Sequence, residues 1–319
     1  MSVRDTMMAT ISTTGTRLPH DAYTIGLLYV TTLEMNAMLP MIDEFHEYIP
    51  PQELDQNSYY LGKVGRHNVI VVGPIKQGKL GLADVVSRIR FSFRNVTMGL
   101  LVGIGGGVPQ PGHDVRLGDI VVAAPDHNGA AIVQYDIGTR ELADIRATTR
   151  LRAPPATLLD VVRSIRNRRE GTDGFLTTHL QRFESHSNMV GIFRRPSHPD
   201  RLFVPTYLHT PGTDCGSHSN QHLAARPNHG SRQGKPCVHY GTILSGDFVV
   251  KNGIERDEIS TRYPDAICFE MEAAGVMDVF PCLVVRGICD YCDSHKNDNW
   301  QPYAAAAAAA YAREVLLTL

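Results

Sequence analysis

The chain has 319 residues, 43% of them apolar and 20% charged, with a formal net charge of −2 at pH 7. That length buries a large core, as one big α/β domain or two smaller ones, and the composition excludes wholesale disorder. The near-neutral balance gives no electrostatic case for nucleic acid or a membrane surface as partner.

Residues 1–22 read as a flexible N-terminal segment without the apolar stretch of a secretory signal. Tyr23–Val30 ("YTIGLLYV") reads as a buried first strand. Thr31–Phe45 follows with helical spacing, broken or kinked at Pro40. Tyr59–Ile75 reads as a hairpin around Gly65–Arg66, and Leu82–Phe93 as an amphipathic helix. Met98–Gly107 ("MGLLVGIGGG") reads as a strand ending in a glycine turn. Gly118–Pro125 and Ala130–Gly138 are further strands. Pro154–Arg169 is a helix with prolines in its first turn.

Residues from about 170 to 236 are rich in His, Pro, Ser, Gly and Arg, and read as a loop-rich insertion. Regular structure returns with a strand at Val238–Gly246 and a helix near Glu255–Arg262. The stretch "CFEMEAAGVMDVFPCLVVRGICD" (Cys268–Asp290) is strand, helix and strand. The last helix starts near Gln301-Pro302 and runs through Ala304–Ala310. No apolar run is long enough to span a bilayer. The six cysteines are scattered, which fits a reducing, cytoplasmic setting.

Strands alternating with helices argue an α/β layered domain, with ligands at the carboxyl ends of strands. Glu270, Glu272 and Asp290 stand at two such ends. Their ordinary reading is helix-start and turn acids. Other motifs fail on context. "GPIKQGKL" (Gly73–Leu80) nearly matches a phosphate loop, but Leu80 replaces the hydroxyl that holds Mg²⁺. "GIGGG" (Gly103–Gly107) has Val108 where the dinucleotide fingerprint needs glycine; what remains is a tight turn whose N–H groups approach a ligand. "CDYC" (Cys289–Cys292) has redox spacing without a thioredoxin-like context. Cys215, His218 and His222 match no strong ligand pattern, so neither metal, redox couple nor other cofactor is expected.

"LLVGIGGG", "FEMEAAG" and "VVRGICD", in this order and spacing, resemble the purine nucleoside phosphorylase and methylthioadenosine nucleosidase family. "HDVRLGDIVVAAP", "VQYDIG", "VHYGTILSGD" and "CDYCDSHKNDNWQPYAAAAAAAYA" resemble its fungal branch, the nucleoside phosphorylase-like domain that opens many multidomain receptors. The resemblance covers about residues 23–319. It implies one three-layer α/β/α sandwich with a central mixed sheet. It implies a purine nucleosidase, an N-ribohydrolase acting on adenine-type nucleosides; a phosphate-dependent phosphorylase and a non-catalytic nucleoside or nucleotide sensor are the alternatives. Because the chain ends with this domain and carries no receptor repeats, a stand-alone enzyme is expected.

The resemblance also assigns residues. Glu272 matches the ribose-binding glutamate and Met271 the methionine packed on the sugar. Asp290 matches the acid that meets purine N7, and Glu34 the glutamate that activates water. Val249 and Val250 match the segment lining the purine, with Phe248 one place before the family's stacking position. Ile104, Gly105 and Gly106 fall at the glycine run, where phosphorylases present an arginine and a serine and this chain has Leu101 and Ile104. The chemistry suits these roles. A purine anion leaves badly unless N7 is protonated, and an ionised carboxylate accepts from both ribose hydroxyls while favouring developing positive charge. Glu270 is expected to be structural. Lys76, Lys79 and Lys251 are expected to be solvated rather than phosphate-binding. The family commonly forms homo-oligomers, so a dimer or larger assembly is implied.

Overall fold

A computed structural model of the chain describes residues 15–74, 79–110, 112–125, 129–141, 144–147, 153–169, 174–186, 189–213, 215–227 and 234–319. In chain order, the first half holds β1 (Ile25–Leu28), α1 (Thr32–Met38), β2 (Glu44–Phe45), β3 (Tyr60–Val64), β4 (His67–Val72), α2 (Lys79–Ser92), β5 (Met98–Gly107), β6 (Ile120–Ala123) and β7 (Ile132–Gln134). The second half holds β8 (Gly138–Glu141), β9 (Asp144–Ala147), α3 (Ala156–Arg169), α4 (Gly174–Leu180), β10 (Val238–Ser245), α5 (Gly253–Arg262), β11 (Ala266–Glu270), α6 (Ala273–Val276), β12 (Cys282–Asp290) and α7 (Gln301–Thr318).

The central strands are continuous apolar runs because both of their faces are covered. Leu100 and Val102 of β5 pack on one side, with Val69, Val71, Leu283, Val285 and the alanines of α7. Leu101 points to the other side, with Ile70, Val72, Val284 and the apolar face of α2. This alternation makes three layers, helix on sheet on helix. The alanine run of α7 lets its backbone lie directly on the sheet. A side chain at Gly287 would stand 1.8 Å from the Ala304 carbonyl oxygen, so both surfaces must be small.

Among the described residues, ten strands form one mixed sheet in the order β11-β10-β6-β12-β5-β1-β4-β3-β2, with β7 beside β10. β1 runs parallel to β4 and β5, and β5 parallel to β12. β12 runs antiparallel to β6. The sheet then curls back on itself, for β11 also pairs antiparallel with the end of β5 (Cys268 with Gly107, Phe269 with Gly106). The strands β5, β12, β6, β10 and β11 therefore close a ring. The carboxyl ends of β5, β11 and β12 and the start of α1 meet at one rim of it, where a parallel sheet presents its ligands.

Most element positions follow the sequence reading. Pro40 ends α1 in a single 3-10 turn, Leu39–Met41, and Gly65, at φ +57°, turns the β3–β4 hairpin. Two points differ. The glycine run is strand to its end at Gly107, not a turn. Its glycines are needed for close packing: side chains there would meet Glu34 Oε1 at 2.2 Å (from Gly103), Cys268 Sγ at 2.7 Å (Gly105) and Cys292 Sγ at 2.1 Å (Gly106). The insertion also carries a helix, α4, and an isolated bridge between Phe203 and Leu223. Half of the near-phosphate-loop motif, residues 75–78 with Lys76, and residues 1–14 lie outside the described residues, as do the side chains of Lys79 and Leu80. No helix among the described residues is long and apolar enough to cross a membrane.

Candidate active site

One end of the rim is built by strand ends and a helix start. Thr31 caps α1, and Glu34 completes the capping box. Glu34 Oε2 accepts from the N–H groups of Val30 (3.0 Å) and Thr31 (2.8 Å), and Oε1 accepts from the Ile104 N–H across the sheet (2.9 Å). A carboxylate offers about four lone pairs, so roughly one remains for a water or substrate. Glu270, at the end of β11, accepts from the N–H groups of Glu272 (3.1 Å) and Ala273 (2.9 Å). Glu270 thus satisfies the start of α6, and Glu272 at the N-cap position makes no capping bond of its own.

Arg286 joins these acids. It is 1% exposed within β12. Nη2 donates to Glu270 (2.5 Å) and to Glu272 Oε2 (3.3 Å), and Nη1 lies 3.9 Å from Glu34 Oε1. Burial opposes the charge of Arg286, but Glu270, Glu272 and Glu34 outweigh it and raise its pKa. Burial pushes Glu272 up, Arg286 pulls it down, and Glu270 and Glu34 push it up again; the result is a pKa of about 7.

The other end is built by a loop. Asp290 ends β12, 4% exposed. Its Oδ1 accepts from the Cys292 N–H (2.9 Å), and its Oδ2 accepts from Lys296 Nζ (2.7 Å) and from the Cys289 thiol (3.1 Å). Cys292 adopts φ +53°, in the left-handed region, at a cost of about 1–2 kcal/mol for a residue with a Cβ. That conformation accompanies the N–H bond to Asp290. Burial lowers the pKa of Lys296, but Asp290 more than compensates, so the ammonium stays charged. Burial, with Asp290 adding, raises the Cys289 and Cys292 thiols far above their usual value. They are packing groups, not low-pKa redox thiols.

These two ends face one cleft with a cavity volume of about 310 Å³, at the small end of ligand sites. Ten of the residues singled out in the sequence line it: Glu34, Ile104, Gly105, Gly106, Phe248, Val249, Val250, Met271, Glu272 and Asp290. Val250 is buried, while Phe248 (73% exposed) and Val249 (50%) stand at the mouth. Phe269, 6% exposed, is an aromatic lining residue the sequence reading overlooked. Leu101 does not belong here; it points into the core on the opposite face of β5. The N–H of Ile104 is spent on Glu34, and Gly106 and Gly107 are paired with β11. The glycine run therefore offers no free anion-binding turn. Lys251 is exposed, as expected.

Arg286 and Lys296 were not foreseen. The signal for Arg286 was one charge inside an otherwise apolar strand, which demands a buried partner. Lys296 carried no such signal. The cleft is lined by four carboxylates (Glu34, Glu270, Glu272, Asp290) against two cations, so it favours a ligand that develops positive charge.

No family model matches the chain. It is 34% identical over 300 residues to a nucleotide-binding leucine-rich repeat (NLR)-like protein of Hyaloscypha variabilis, an alignment covering 94% of this chain and 30% of that protein. It is 23% identical over 264 residues to a death domain-containing ATP nucleosidase of Amphimedon queenslandica, covering 79% of this chain and 40% of the relative. The chain thus spans well under half the length of these relatives. Among solved structures it superposes on 5′-methylthioadenosine/S-adenosylhomocysteine nucleosidase from Neisseria meningitidis with a TM-score of 0.57 at 16% identity, covering 93% of this chain and 99% of that one. For futalosine hydrolase of Helicobacter pylori the TM-score is 0.60 at 19% identity, covering 94% and 100%. The chain has the nucleoside phosphorylase-like fold.

Proposed function

We propose that this cleft hydrolyses the N-glycosidic bond of an adenine-type purine nucleoside or its 5′-substituted form, in the cytoplasm. The observation that carries the proposal is the division of the cleft into two charged ends. Glu272, with Glu34 beside it, suits a ribose that becomes cationic as the bond breaks. The Asp290–Lys296 pair suits a purine that becomes anionic. Glu272 accepts from the ribose hydroxyls, Met271 packs on the sugar, and Val250 and Phe269 flank the base. Asp290 receives its hydrogen bonds from an ammonium, a thiol and an N–H. The proton for N7 therefore comes from the Asp290–Lys296 pair as a unit, rather than from a carboxylic acid isolated in an apolar pocket.

Glu34 orients the attacking water through its remaining lone pair and takes up its proton. Phosphorolysis is disfavoured, because a phosphate dianion would join four carboxylates while Arg286 is already held by three of them. ATP belongs among the candidate substrates, since one relative is named an ATP nucleosidase and the cleft mouth at Phe248 and Val249 is open.

The test is product analysis with adenosine, inosine, guanosine, methylthioadenosine and ATP, each with and without phosphate. Free base and free sugar at a phosphate-independent rate support the proposal. Ribose 1-phosphate formed only with phosphate overturns it in favour of a phosphorylase. Tight binding without any product leaves a sensor.

A further inference from the structure

We propose a structural site for one zinc-class divalent ion, held by His209, Cys215 and His218 of the insertion and His295 of the loop after β12. The proposal does not rest on the reading of the cleft. In sequence only Cys215 and His218 are near each other, and His295 lies 77 residues further on. The fold brings one ring nitrogen from each of His209, His218 and His295 within 4.8 Å of one another. Cys215 Sγ lies 3.5 Å from His209 Nδ1. Tetrahedral zinc, with Zn–S about 2.3 Å and Zn–N about 2.0–2.1 Å, sets sulfur and nitrogen about 3.5 Å apart. His222, the third residue suspected from the sequence, is not in the group; it stacks on Tyr207 at 3.9 Å.

The second observation is His295 itself. It is 6% exposed, and neither ring nitrogen has a hydrogen-bond partner. Stacking on Phe203 at 3.9 Å covers its face but leaves its in-plane nitrogens unsatisfied, which normally costs about 1–3 kcal/mol. A metal on one nitrogen removes that cost. Asp293 Oδ1, which accepts from the His295 backbone N–H (2.8 Å), lies 3.7 Å from Nδ1, so a small shift on metal binding would make it the usual outer partner of a metal-bound imidazole. This leaves Nε2 for the ion.

His218 is oriented in the same way. The Thr213 hydroxyl donates to the Thr210 carbonyl (2.7 Å), so it accepts from His218 Nε2 (3.0 Å). Nδ1 is then the nitrogen with a lone pair, and the Tyr207 hydroxyl at 2.7 Å is the group an ion would displace. The Asn297 amide points at Cys215 Sγ (3.9 Å), as a donor to a thiolate would. The three imidazoles already lie within ligand reach of one another, and the Cys215 thiol, which touches His209 Nδ1 and donates to the His295 carbonyl oxygen (3.5 Å), is the fourth ligand that an ion would draw in, which would leave no position for substrate. Such a set suits zinc in a structural role, clamping the insertion onto the loop that carries Lys296.

The experiment uses the full chain, dialysed against metal-free buffer after purification, with metal measured by mass spectrometry. The expected content is about one zinc per chain. Cys215→Ser and His218→Ala should each lower it roughly tenfold or more, while His222→Ala keeps it. Because the first two variants can fail to fold, the wild-type chain is also exchanged into cobalt. A thiolate-to-cobalt charge-transfer band with four-coordinate visible absorption is expected. A wild-type chain without stoichiometric metal overturns the site, as does a cobalt spectrum lacking the thiolate band. Metal that survives unchanged in both ligand variants places the ion elsewhere and also overturns it.

Discussion

The two ends of the cleft are built from different materials. At the end proposed for the sugar every charged group sits on a strand or at a helix start: Glu34 on α1, Glu270 on β11, Glu272 at the N-cap of α6, Arg286 within β12. Their positions are set by backbone N–H groups and by a single guanidinium. At the end proposed for the base Asp290 terminates a strand, but its partner Lys296 comes from the loop before α7, and that loop leans on the insertion through Ser294, which accepts from the His209 N–H at 2.9 Å. The sugar end is therefore fixed by the sheet. The base end is fixed only as well as a loop is held. Substitutions at the first should act on folding and chemistry together, and at the second mainly on chemistry.

Arg286 gives the largest effect. Removing it strands Glu34, Glu270 and Glu272 without their shared cation. Breaking a buried ion pair from one side costs about 3–5 kcal/mol. Arg286→Met is expected to lose that much in urea unfolding and roughly a thousandfold or more in kcat/KM. A variant with wild-type stability would show that the three acids do not depend on one another.

Asp290→Asn tests the other end. It should keep the wild-type melting temperature within a few degrees and lose at least about a hundredfold in kcat, because it removes the proton-handling group and little else. Turnover like that of the wild type would remove the proposed mechanism. Lys296→Met should fall between in activity, at roughly ten- to thirtyfold in kcat, with some loss of stability because it leaves buried Asp290 without its cation. If Lys296→Met is as inactive as Asp290→Asn, the ammonium itself is the donor.

How far the sequence could be read follows the same division. Glu272 and Asp290 were legible because acids at the ends of apolar strands stand out against their neighbours. Glu270 was expected to be structural; that it accepts from the N–H groups at the start of α6, where Glu272 makes no capping bond, needed coordinates. The glycine run misled, since glycine serves both turns and close approach, and only the side chains of Glu34, Cys268 and Cys292 decide between them. Lys296 and His295 were hidden because loop residues carry no period, and their partners come from elsewhere in the chain. The layered fold was readable because β5 and β12 are apolar throughout, as strands covered on both faces must be.

The smallest expected effect concerns pH and separates the two ends most sharply. Glu272 titrates at about 7 in the folded chain, against an ordinary value of 4.5, chiefly because burial disfavours its charged form. In the proposed mechanism its ionised form is the one that accepts from ribose hydroxyls. kcat/KM should therefore rise with pH through about 7, by about tenfold between pH 6 and pH 8 if ionised Glu272 is required. Stability should move the opposite way. Between pH 4.5 and 7 the folded chain holds a proton on Glu272 that the unfolded chain has released. The stabilising contribution of this group is thus complete below about 4.5 and is lost as pH rises through about 7, a few kcal/mol at most. Glu272→Gln keeps the hydrogen-bonding shape without the titration. It should flatten the stability slope in this window and remove the acidic limb of the residual rate, while Asp290→Asn should leave the stability slope in place. An unchanged slope in Glu272→Gln would assign the titration to another group of the cleft.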